Sequence, residues 1–514
     1  MKGYEALKET LKKLNLSPVF GNPGSTEIGL LRAVDDYILT LHDSISVGMA
    51  DGLTQYSGIP RMVNLHDLPG LANSMAFIYT AKINRTPLII TAGQQDTRHM
   101  VFDPLLYWDL NSVVSDAVKF KYELKNQNDI PIAFKRAKIQ ATTPPMGPVF
   151  ISIPEDFMDY EVNFYDIEDQ PISHNIVDLD AVEIIYEKIE RAKKPAIVFG
   201  FEIDIYDAFN EAETVASKLG CPVYVEPLSS RAAFNSENIN YAGDLLPGST
   251  LINLKLLSHD LILFVGADIT VYPYLPSPIL PGKDLIFVGL NITPKIGEFY
   301  FMNPKNFLSE LSKKIVRKKC NYNKEKDLSL ATKVARERST MGLNYVLFQA
   351  KKYFSDYVVV DESISASTTL RNIFGYSKKK YFTAKSGQLG WATPAALGIS
   401  IEDKKVISIE GDGSFMYTVQ ALWTATRYKL PVKFIVLRND SYSILRSYAK
   451  SYYPEMENYP AFLFHLDIEK ISSSFGIESE LSSPEMKELS WLKEGDVPKV
   501  LVVDVDKTVN KLFL

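Results

Sequence analysis

The segment 405–442 combines residue types that can hold a phosphate group and a divalent cation. It reads KVISIEGDGSFMYTVQALWTATRYKLPVKFIVLRNDSY, in which an apolar run leads into Gly411, Asp412, Gly413 and Ser414. Two glycines at a strand-to-helix turn let the backbone approach a phosphate closely, and the N-terminus of the following helix offers free N–H groups. The pattern therefore predicts an anion-binding turn between a buried strand and an amphipathic helix.

Asp412 adds a hard anionic oxygen ligand to this turn, and Asn439 follows the next apolar run, at 431–437. Open α/β sheets bind ligands at the carboxyl ends of their strands, so both side chains are expected at one edge. A carboxylate, an amide oxygen and a backbone carbonyl, completed by phosphate oxygens and water, suit octahedral Mg²⁺. The alternative is a tight turn whose aspartate only caps the helix. The dinucleotide pattern G-x-G-x-x-G fails at Met416, which favours a diphosphate held through a metal.

Short apolar runs rich in β-branched residues recur along the chain, separated by stretches long enough for helices. Runs without polar alternation are typical of strands that are buried on both faces of a parallel sheet. The repeated pattern predicts an α/β fold of doubly wound parallel sheets. The runs are PLIITAG (87–93), PVFISIP (148–154), KPAIVFG (194–200), HDLILFVGAD (259–268), DLIFVGLN (284–291), DYVVVDES (356–363), KVISIEGDG (405–413), PVKFIVLRND (431–440) and KVLVVDVD (499–506).

Two polar stretches, near 163–180 and 313–330, read as linkers and divide the chain into pieces of similar size. At roughly 150 residues per domain, 514 residues also correspond to about three domains. We therefore predict three α/β domains, over 1–165, 180–325 and 335–514. The second linker is rich in Lys and Arg, and a solvated connector is preferred over a nucleic-acid patch.

Composition restricts the class of protein. Hydrophobic residues make up 46% and charged residues 23% of the chain, which excludes a mostly disordered protein. The formal net charge of −6 argues against a nucleic-acid partner, because phosphate binding needs a clustered basic surface. Two cysteines, Cys221 and Cys320, are too few for a disulfide scaffold or a zinc site built from cysteine alone.

The sequence also predicts no association with membranes. No segment approaches about 18 uninterrupted apolar residues, the length that would indicate a membrane span. At the N-terminus, Tyr4, Leu7, Leu11 and Leu14 recur at helical spacing, which indicates an amphipathic helix rather than a signal peptide. A cytoplasmic protein is expected.

Several motifs, in order along the chain, resemble those of thiamine-diphosphate-dependent enzymes, in particular the benzoylformate decarboxylases. They are the GDG-to-Asn segment described above, GNPGSTE (21–27), LHDSISVGMADG (41–52), NLHDLPG (64–70), PLIITAGQQ (87–95) and GQLGWATPAALG (387–398). The resemblance covers essentially the whole chain and is weakest in the middle third. It implies pyrimidine-binding, middle and diphosphate-binding domains, thiamine diphosphate and Mg²⁺ as cofactors, and a 2-oxo acid substrate. It further implies a homodimer or homotetramer with active sites between subunits.

The resemblance also implies roles for matched residues. Leu389 would wedge between the two cofactor rings, and the carbonyl of Gly387 would accept a hydrogen bond from the aminopyrimidine. The metal would be bound by the side chains of Asp412 and Asn439 and the carbonyl of Ser441. The remaining residues assigned to cofactor binding are Ser365, Gly411, Gly413, Ser414 and Ile444.

Three residues are assigned to catalysis by the same resemblance. Asp43 stands where the family has the glutamate that activates the cofactor, Ser25 would contact the substrate carboxylate, and His66 would transfer a proton. Asp is one methylene shorter than Glu, about 1.5 Å of C–C bond. A misplacement near 1 Å can cost on the order of a hundredfold in rate. The shorter side chain of Asp43 therefore lowers the activity that is expected if the backbone stays in place.

Other departures from the family pattern lie near the substrate. Pro273 replaces a second histidine, which leaves proton delivery to His66, water or a tyrosine such as Tyr272. Ile364 replaces a hydroxyl residue and Ile444 a small one, whereas Tyr448 matches an aromatic wall. A bulkier Ile444 would narrow the pocket and favour an aliphatic 2-oxo acid.

Three functional hypotheses follow. The first is non-oxidative decarboxylation of a 2-oxo acid to an aldehyde and CO₂. The second is a carboligase of the acetolactate-synthase type, in which the intermediate couples to another carbonyl compound. The third is a cofactor-binding homologue of low activity, because Asp43 replaces glutamate. The middle domain shows no clear flavin signature, and no flavin is predicted.

Overall fold

The computed structural model describes residues 1–170, 172–272, 277–324 and 329–512. These residues form three six-stranded sheets, in which all the strand pairs are parallel. Apolar side chains pack on both faces of a sheet: Val63 and Ile90 belong to one buried cluster, and Met62 and Ile89 to another. The predicted doubly wound α/β fold is confirmed.

The first sheet has the strand order β2-β1-β3-β4-β6-β5. Its strands are β1 (Val19–Asn22), β2 (Tyr37–Leu39), β3 (Arg61–Leu65), β4 (Leu88–Gln94), β5 (Lys121–Glu123) and β6 (Val149–Pro154). Its helices are α1 (Gly3–Lys13), α2 (Ile28–Leu31), α3 (Asp43–Ser57), α4 (Asp67–Ile83), α5 (Leu110–Val114) and α6 (Ile130–Thr142). Short 3₁₀ helices lie at Ser25–Glu27, Met100–Phe102, Ser115–Ala117, Gln127–Asp129 and Glu155–Met158.

The second sheet has the order β12-β11-β10-β7-β8-β9. Its strands are β7 (Ala196–Phe199), β8 (Val223–Val225), β9 (Tyr241–Asp244), β10 (Leu261–Val265), β11 (Asp284–Gly289) and β12 (Glu298–Phe301). Its helices are α7 (Leu179–Arg191), α8 (Glu202–Ile205), α9 (Phe209–Leu219), α10 (Ser249–Lys255) and α11 (Pro304–Lys314).

The third sheet, β14-β13-β15-β16-β18-β17, repeats the topology of the first. Its strands are β13 (Val358–Glu362), β14 (Tyr381–Thr383), β15 (Val406–Gly411), β16 (Lys433–Arg438), β17 (Glu478–Leu481) and β18 (Lys499–Asp504). Its helices are α12 (Ser329–Glu337), α13 (Leu343–Phe354), α14 (Ser367–Phe374), α15 (Ala392–Ile399), α16 (Asp412–Met416), α17 (Ala421–Tyr428), α18 (Ser443–Tyr452), α19 (Ile468–Ser474) and α20 (Glu488–Lys493). Short 3₁₀ helices lie at Arg338–Thr340, Ile364–Ala366, Pro454–Met456 and Pro460–Phe462.

The first and third sheets are joined by close packing of α3 on α15. Glycines make this approach possible: a Cβ at Gly52 would lie 2.4 Å from the carbonyl oxygen of Ala395, and one at Gly398 would lie 2.0 Å from that of Met49. The indole Nε1 of Trp391 donates a buried hydrogen bond of 2.7 Å to Oδ2 of Asp51, across the same contact. These two layers therefore form one continuous core.

The segments between the sheets agree with the polar stretches read as linkers. Residues 163–170 and 172–178 form neither helix nor strand, and the second stretch lies between the end of α11 and the start of α12. The domain boundaries themselves stay predictions. The single helix expected after Ser414 is interrupted, because α16 ends at Met416 and α17 begins at Ala421. In the described ranges, none of the helices combines the length and apolar character needed to cross a membrane.

Candidate active site

One group of candidate residues lies at the carboxyl edge of the first sheet. Strand order reverses between β1 and β3, and open α/β sheets bind ligands at such a switch point. Asn22 ends β1, and His66 follows β3 and precedes α4. Asp43 is the first residue of α3. Polar residues that follow the apolar strands therefore lie at one edge of the first sheet, as predicted from the motifs after each strand.

The Asp43 side chain is buried between α3 and the start of α4. Its Oδ1 lies 3.4 Å from the backbone nitrogen of His66, which donates to it, and its Oδ2 lies 3.4 Å from Nδ2 of Asn22. Gly70 allows this approach, because a Cβ there would lie 2.4 Å from Oδ1 of Asp43. Burial raises the pKa of the Asp43 carboxyl above its ordinary value, since desolvation disfavours the charged form.

His66 forms a close pair with Glu27, a residue not assigned a role from the sequence. Nδ1 of His66 lies 2.8 Å from Oε2 of Glu27. The Glu27 side chain is fully buried and accepts hydrogen bonds from the backbone N–H groups of Gly24, at 2.8 Å, and Gly93, at 2.9 Å. The hydrogen bond that the imidazole donates to Glu27 raises the pKa of His66 above its ordinary value. A carboxylate that is itself fixed by the backbone therefore binds the Nδ1 edge of the imidazole.

A second buried carboxyl group lies beside this pair. Asp67 begins α4 with a φ of 44°, and Oδ2 of its side chain accepts a 2.6 Å hydrogen bond from Nε2 of Gln95. Burial raises the pKa of Asp67 to about 6. Asp67 and Gln95, like Glu27, were missed by sequence reasoning. The available signal was their place in the motifs that directly follow β3, β4 and β1.

Ser25 lies at the exposed start of the Ser25–Glu27 turn, and its neighbour Gly24 touches the catalytic candidate His66. A Cβ at Gly24 would lie 2.1 Å from Nδ1 of His66, so only glycine fits under the imidazole. Ser25 and His66 therefore lie on two neighbouring loops, one that follows β1 and one that follows β3.

The second group lies at the carboxyl ends of β15 and β16. Asp412 is buried, and its Oδ2 accepts hydrogen bonds from the backbone N–H groups of Asn439, at 3.1 Å, and Asp440, at 2.8 Å. Burial raises the pKa of Asp412 to about 6. Asp440 has a φ of 55°, which turns the chain back so that both N–H groups face the carboxylate. The predicted proximity of Asp412 and Asn439 is observed.

The donor atoms available here are oxygens, as Mg²⁺ prefers. Besides the Asp412 carboxylate, Oδ1 of Asn439 accepts from the backbone N–H and the hydroxyl of Ser441, both at 3.1 Å. These bonds fix the amide so that its oxygen, not its nitrogen, faces Ser441. With one carboxylate and neutral oxygens, the set fits a cation whose remaining charge is balanced by a diphosphate.

The turn between β15 and α16 leaves room for a bound group. A Cβ at Gly411 would meet nothing closer than Oγ of Ser414, at 4.0 Å, whereas one at Gly413 would lie 2.8 Å from the ring of Tyr442. A cavity of about 430 Å³ opens beside Gly413. The space beside Gly411 at the strand end is therefore open, which fits a phosphate, and Gly413 packs against the cavity wall.

The residues expected near the substrate also meet in this domain. Helix α18, in which Ile444 is half-buried, packs against the turn Ile364–Ala366, which contains Ser365. Ile364 is 38% exposed and has a φ of 46°, a strained conformation for a β-branched residue. Tyr448, one turn beyond Ile444, packs on Tyr452 with ring centroids 4.8 Å apart.

The loop 384–390 joins β14 to α15 and presents Gly387 and Leu389. Gly387 has a φ of 80°, with open space where a Cβ would be. Behind the loop, the fully buried carboxylate of Glu362 accepts hydrogen bonds from the backbone of Gly390 and, at 2.7 Å, of Ala392. Burial raises the pKa of this carboxyl well above its ordinary value. Glu362 was also missed from the sequence.

Within one chain, α4 lies between His66 and the anchor point of the loop 384–390. The loop that carries Leu389 contacts the C-terminal end of α4, where the backbone N–H of Lys385 donates to Oδ1 of Asn84 at 3.1 Å. His66 precedes the opposite end of this 17-residue helix, which is about 25 Å long at 1.5 Å per residue. Over the described ranges, no hydrogen bond or ion pair joins the two groups. Pro273 lies outside the described residues, and the neighbouring Tyr272 is 50% exposed.

Comparison with known proteins shows the family to which the chain belongs. Models of the thiamine pyrophosphate (thiamine diphosphate) enzymes match the chain three times in order. The N-terminal TPP binding domain matches residues 1–112, the central domain 182–299 and the C-terminal TPP binding domain 365–503.

Relatives extend over nearly the whole chain. It is 32% identical to a benzoylformate decarboxylase of Pseudomonas aeruginosa, covering 87% of each chain, and 24% identical to an acetolactate synthase large subunit of Buchnera aphidicola, covering 96% of this chain and 93% of that one. The crystal structure of a benzoylformate decarboxylase from Polynucleobacter necessarius matches with a TM-score of 0.92 and 29% identity, over 99% of this chain and 100% of that one. The chain therefore belongs to the thiamine-pyrophosphate-dependent enzymes of the decarboxylase and acetolactate synthase family.

Proposed function

We propose that the protein catalyses non-oxidative decarboxylation of a 2-oxo acid to an aldehyde and CO₂. The observation that carries this proposal is an imidazole, His66, hydrogen-bonded at 2.8 Å to the fully buried carboxylate of Glu27, with the buried carboxyl group of Asp43 accepting from the backbone N–H of the same histidine. Such a constellation can hold and transfer a proton in a partly closed site. The 32% identity to a benzoylformate decarboxylase supports the same reaction class.

Thiamine diphosphate supplies the carbanion-stabilising chemistry that this reaction needs. The metal would be Mg²⁺, because its oxygen ligands are those that the second group offers. The residues proposed to hold the metal and cofactor are Asp412, Asn439 and Ser441 for Mg²⁺, Gly411, Gly413, Ser414 and Ser365 for the diphosphate, and Gly387, Leu389 and Ile444 for the rings.

The residues of the first group would orient the reactants and move protons. Asp43 would bond the ring nitrogen of the aminopyrimidine through its buried carboxyl group. His66 has Nδ1 engaged by Glu27, so its Nε2 is the nitrogen left to deliver a proton to the carbon that loses CO₂. Ser25, on the adjacent exposed turn, would bind the substrate carboxylate.

A second copy of the chain would complete the site. Within one chain, α4, which is about 25 Å long, lies between His66 and the contact of the loop 384–390 with Asn84, so the first group of one copy would face the second group of another. At the carboxyl edge of the first sheet, Val101, Phe102 and Leu105 are 82%, 80% and 85% exposed. Clustered exposed apolar side chains are typical of interfaces. We therefore propose a homodimer or a homotetramer of such dimers.

Carboligation is the second candidate. It is favoured by the 24% identity to an acetolactate synthase large subunit over 96% of this chain. It is also consistent with the absence of histidine at Pro273, since a missing proton donor would leave more time for coupling to a second carbonyl compound. A homologue of low activity is the third candidate, because Asp43 is shorter than the glutamate of the family.

The test is to incubate the purified full-length protein, thiamine diphosphate and Mg²⁺ with a panel of aliphatic and aromatic 2-oxo acids. CO₂ and the carbonyl products are followed together, with an Asp412→Ala variant as the control that should not retain the metal. Free aldehyde with stoichiometric CO₂ supports decarboxylation, and a coupled hydroxyketone supports the carboligase. Bound cofactor without turnover on any acid would leave the low-activity homologue as the function.

A further inference from the structure

The switch point of the second sheet holds a buried carboxylate, Glu226, in the place where open α/β sheets bind ligands. Strand order reverses between β7 and β10, and β8 lies beside β7. Glu226 follows β8, and its Oε1 accepts a 3.0 Å hydrogen bond from the backbone N–H of Phe201, just after β7. Its Oε2 accepts one of 2.8 Å from that of Asp268, just after β10. Glu226 therefore ties together the ends of three adjacent strands.

A lysine from the third domain enters this crevice. Nζ of Lys385 lies 3.1 Å from Oε2 of Glu226, and the two side chains are 8% and 0% exposed. The ammonium also lies 5.1 Å from the ring centroid of Phe201. Removing one partner of a buried ion pair leaves the other charge uncompensated, so such a pair resists separation. The crevice at the switch point of the second sheet therefore binds a side chain from another domain.

Lys385 lies in the loop 384–390, which carries two residues assigned to the cofactor, Gly387 and Leu389. On one side of these residues, the hydroxyls of Ser386 and Thr80 lie 2.8 Å apart. On the other side, the backbone of Gly390 donates to Glu362. The pair with Glu226 is the anchor that the middle domain provides.

We infer that Glu226 and Lys385 are positioning residues, through which the middle domain sets the loop that receives the cofactor. The inference rests on the proposed function only for the assignment of Gly387 and Leu389 to the cofactor. Neither residue touches the reacting atoms; they act by fixing the backbone between the first and third domains. The backbone N–H of Asp268, where the segment leading to Tyr272 begins, donates to the same carboxylate, so one side chain contacts both loops.

The experiment measures the affinity of the full-length protein for thiamine diphosphate in excess Mg²⁺, by titration calorimetry. Lys385→Met keeps the apolar stem and removes the charge, whereas Glu226→Gln removes the charge and keeps one acceptor oxygen, for one of the two backbone N–H groups. We expect the Kd to rise about tenfold in each, and the double variant to resemble the single ones, because the residues act as a unit. If Lys385→Met does not fold, Glu226→Gln alone decides the question.

Glu402→Gln is the matched control, because it breaks another ion pair between domains, with Arg61 at 2.8 Å, without touching the loop. It should leave the Kd unchanged. Hydrogen exchange of the cofactor-free protein supplies the independent readout: residues 384–390 should exchange at least about fivefold faster in both single variants and at the normal rate in the control. Unchanged affinity together with unchanged exchange would overturn the inference. Since exchange needs neither cofactor nor turnover, failure of the proposed function leaves this test intact.

Discussion

Nδ1 of His66 lies 2.8 Å from Oε2 of Glu27, and the carboxylate is anchored by the backbone of Gly24 and Gly93. This geometry determines which imidazole nitrogen is engaged and which one remains for a substrate. Because the Glu27 side chain is fully buried, it cannot follow the imidazole if His66 moves. The pair therefore makes the orientation of His66 a property of the fold.

We expect Glu27→Gln to lower kcat by about tenfold to a hundredfold, part of the 10²–10⁴ that a positioned acid or base contributes. The hydrogen bond that the imidazole donates to Glu27 raises the pKa of His66, so the variant should lower that pKa. The limb of the pH profile that requires protonated His66 should then move to lower pH. The measurements are kcat against pH and an NMR titration of the imidazole, assigned with His66→Gln. An unchanged His66 titration in Glu27→Gln would contradict this role.

The same pair should contribute to stability in a defined pH range. The folded pKa of His66 is raised above its ordinary value, so the contribution is complete below about 6.5, the unfolded value, and is lost as pH rises through the folded pKa. The difference in thermal midpoint between the unmodified protein and His66→Gln should therefore be largest at low pH and shrink above it. Differential scanning calorimetry from pH 5 to 9 checks this, and a difference that grows with pH is the opposite result.

Asp43→Asn should separate activity from stability. Burial raises the pKa of Asp43, so the folded state binds its proton more tightly than the unfolded state. Stability consequently falls as pH rises from 3.8 through the folded pKa. The uncharged variant should melt at the same or a higher temperature at pH 7, yet lose at least about a hundredfold in turnover with little change in cofactor affinity. Retention of a tenth of the activity would exclude Asp43 as the activating group.

Asp43→Glu tests whether the length of this side chain limits the reaction. A gain in turnover in this variant identifies the short side chain of Asp43 as limiting.

Gly70→Ala should displace the carboxyl group of Asp43 through a change in a neighbouring residue. Its Cβ would lie 2.4 Å from Oδ1 of Asp43, so the carboxylate must move. We expect a loss of turnover of at least about tenfold, since displacement near 1 Å is costly, in a protein that still binds cofactor. Gly147→Ala is the control, because its Cβ would meet only the flexible chain of Lys119, at 3.3 Å. Equal turnover in the two variants would show that the position of Asp43 does not limit the reaction.

Ile444→Ala tests the size of the substrate pocket. If Ile444 narrows it, the variant should raise kcat/KM for benzoylformate relative to a short aliphatic 2-oxo acid by about tenfold or more, the range for a few methylenes in an apolar pocket. Leu445→Ala is the control, because this neighbouring side chain is 44% exposed and should leave the ratio unchanged. A ratio that stays within twofold in Ile444→Ala, or an unmodified protein that prefers benzoylformate to every aliphatic acid, contradicts the aliphatic preference.

Features of the protein that depend on local sequence pattern could be predicted without the structure. Apolar runs without alternation indicated parallel strands buried on both faces, and the polar residues at their ends identified the edges where ligands bind. Asp412 and Asn439 could be brought together in this way, because they follow neighbouring strands of one sheet. The place of Asp43 and His66 in ordered motifs likewise indicated one site.

Tertiary structure alone decided what depends on contacts between elements distant in the chain. The pairs Glu27–His66 and Glu226–Lys385 are 39 and 159 residues apart, and no periodicity links their members. These pairs form because helix packing and strand order determine the positions of the loops that carry their residues. The same is true of α4, whose length separates His66 from the contact between Asn84 and Lys385 within one chain, on which the proposed second copy rests. Local sequence sets which residues reach a sheet edge, whereas the packing of one sheet layer on another sets which edges meet.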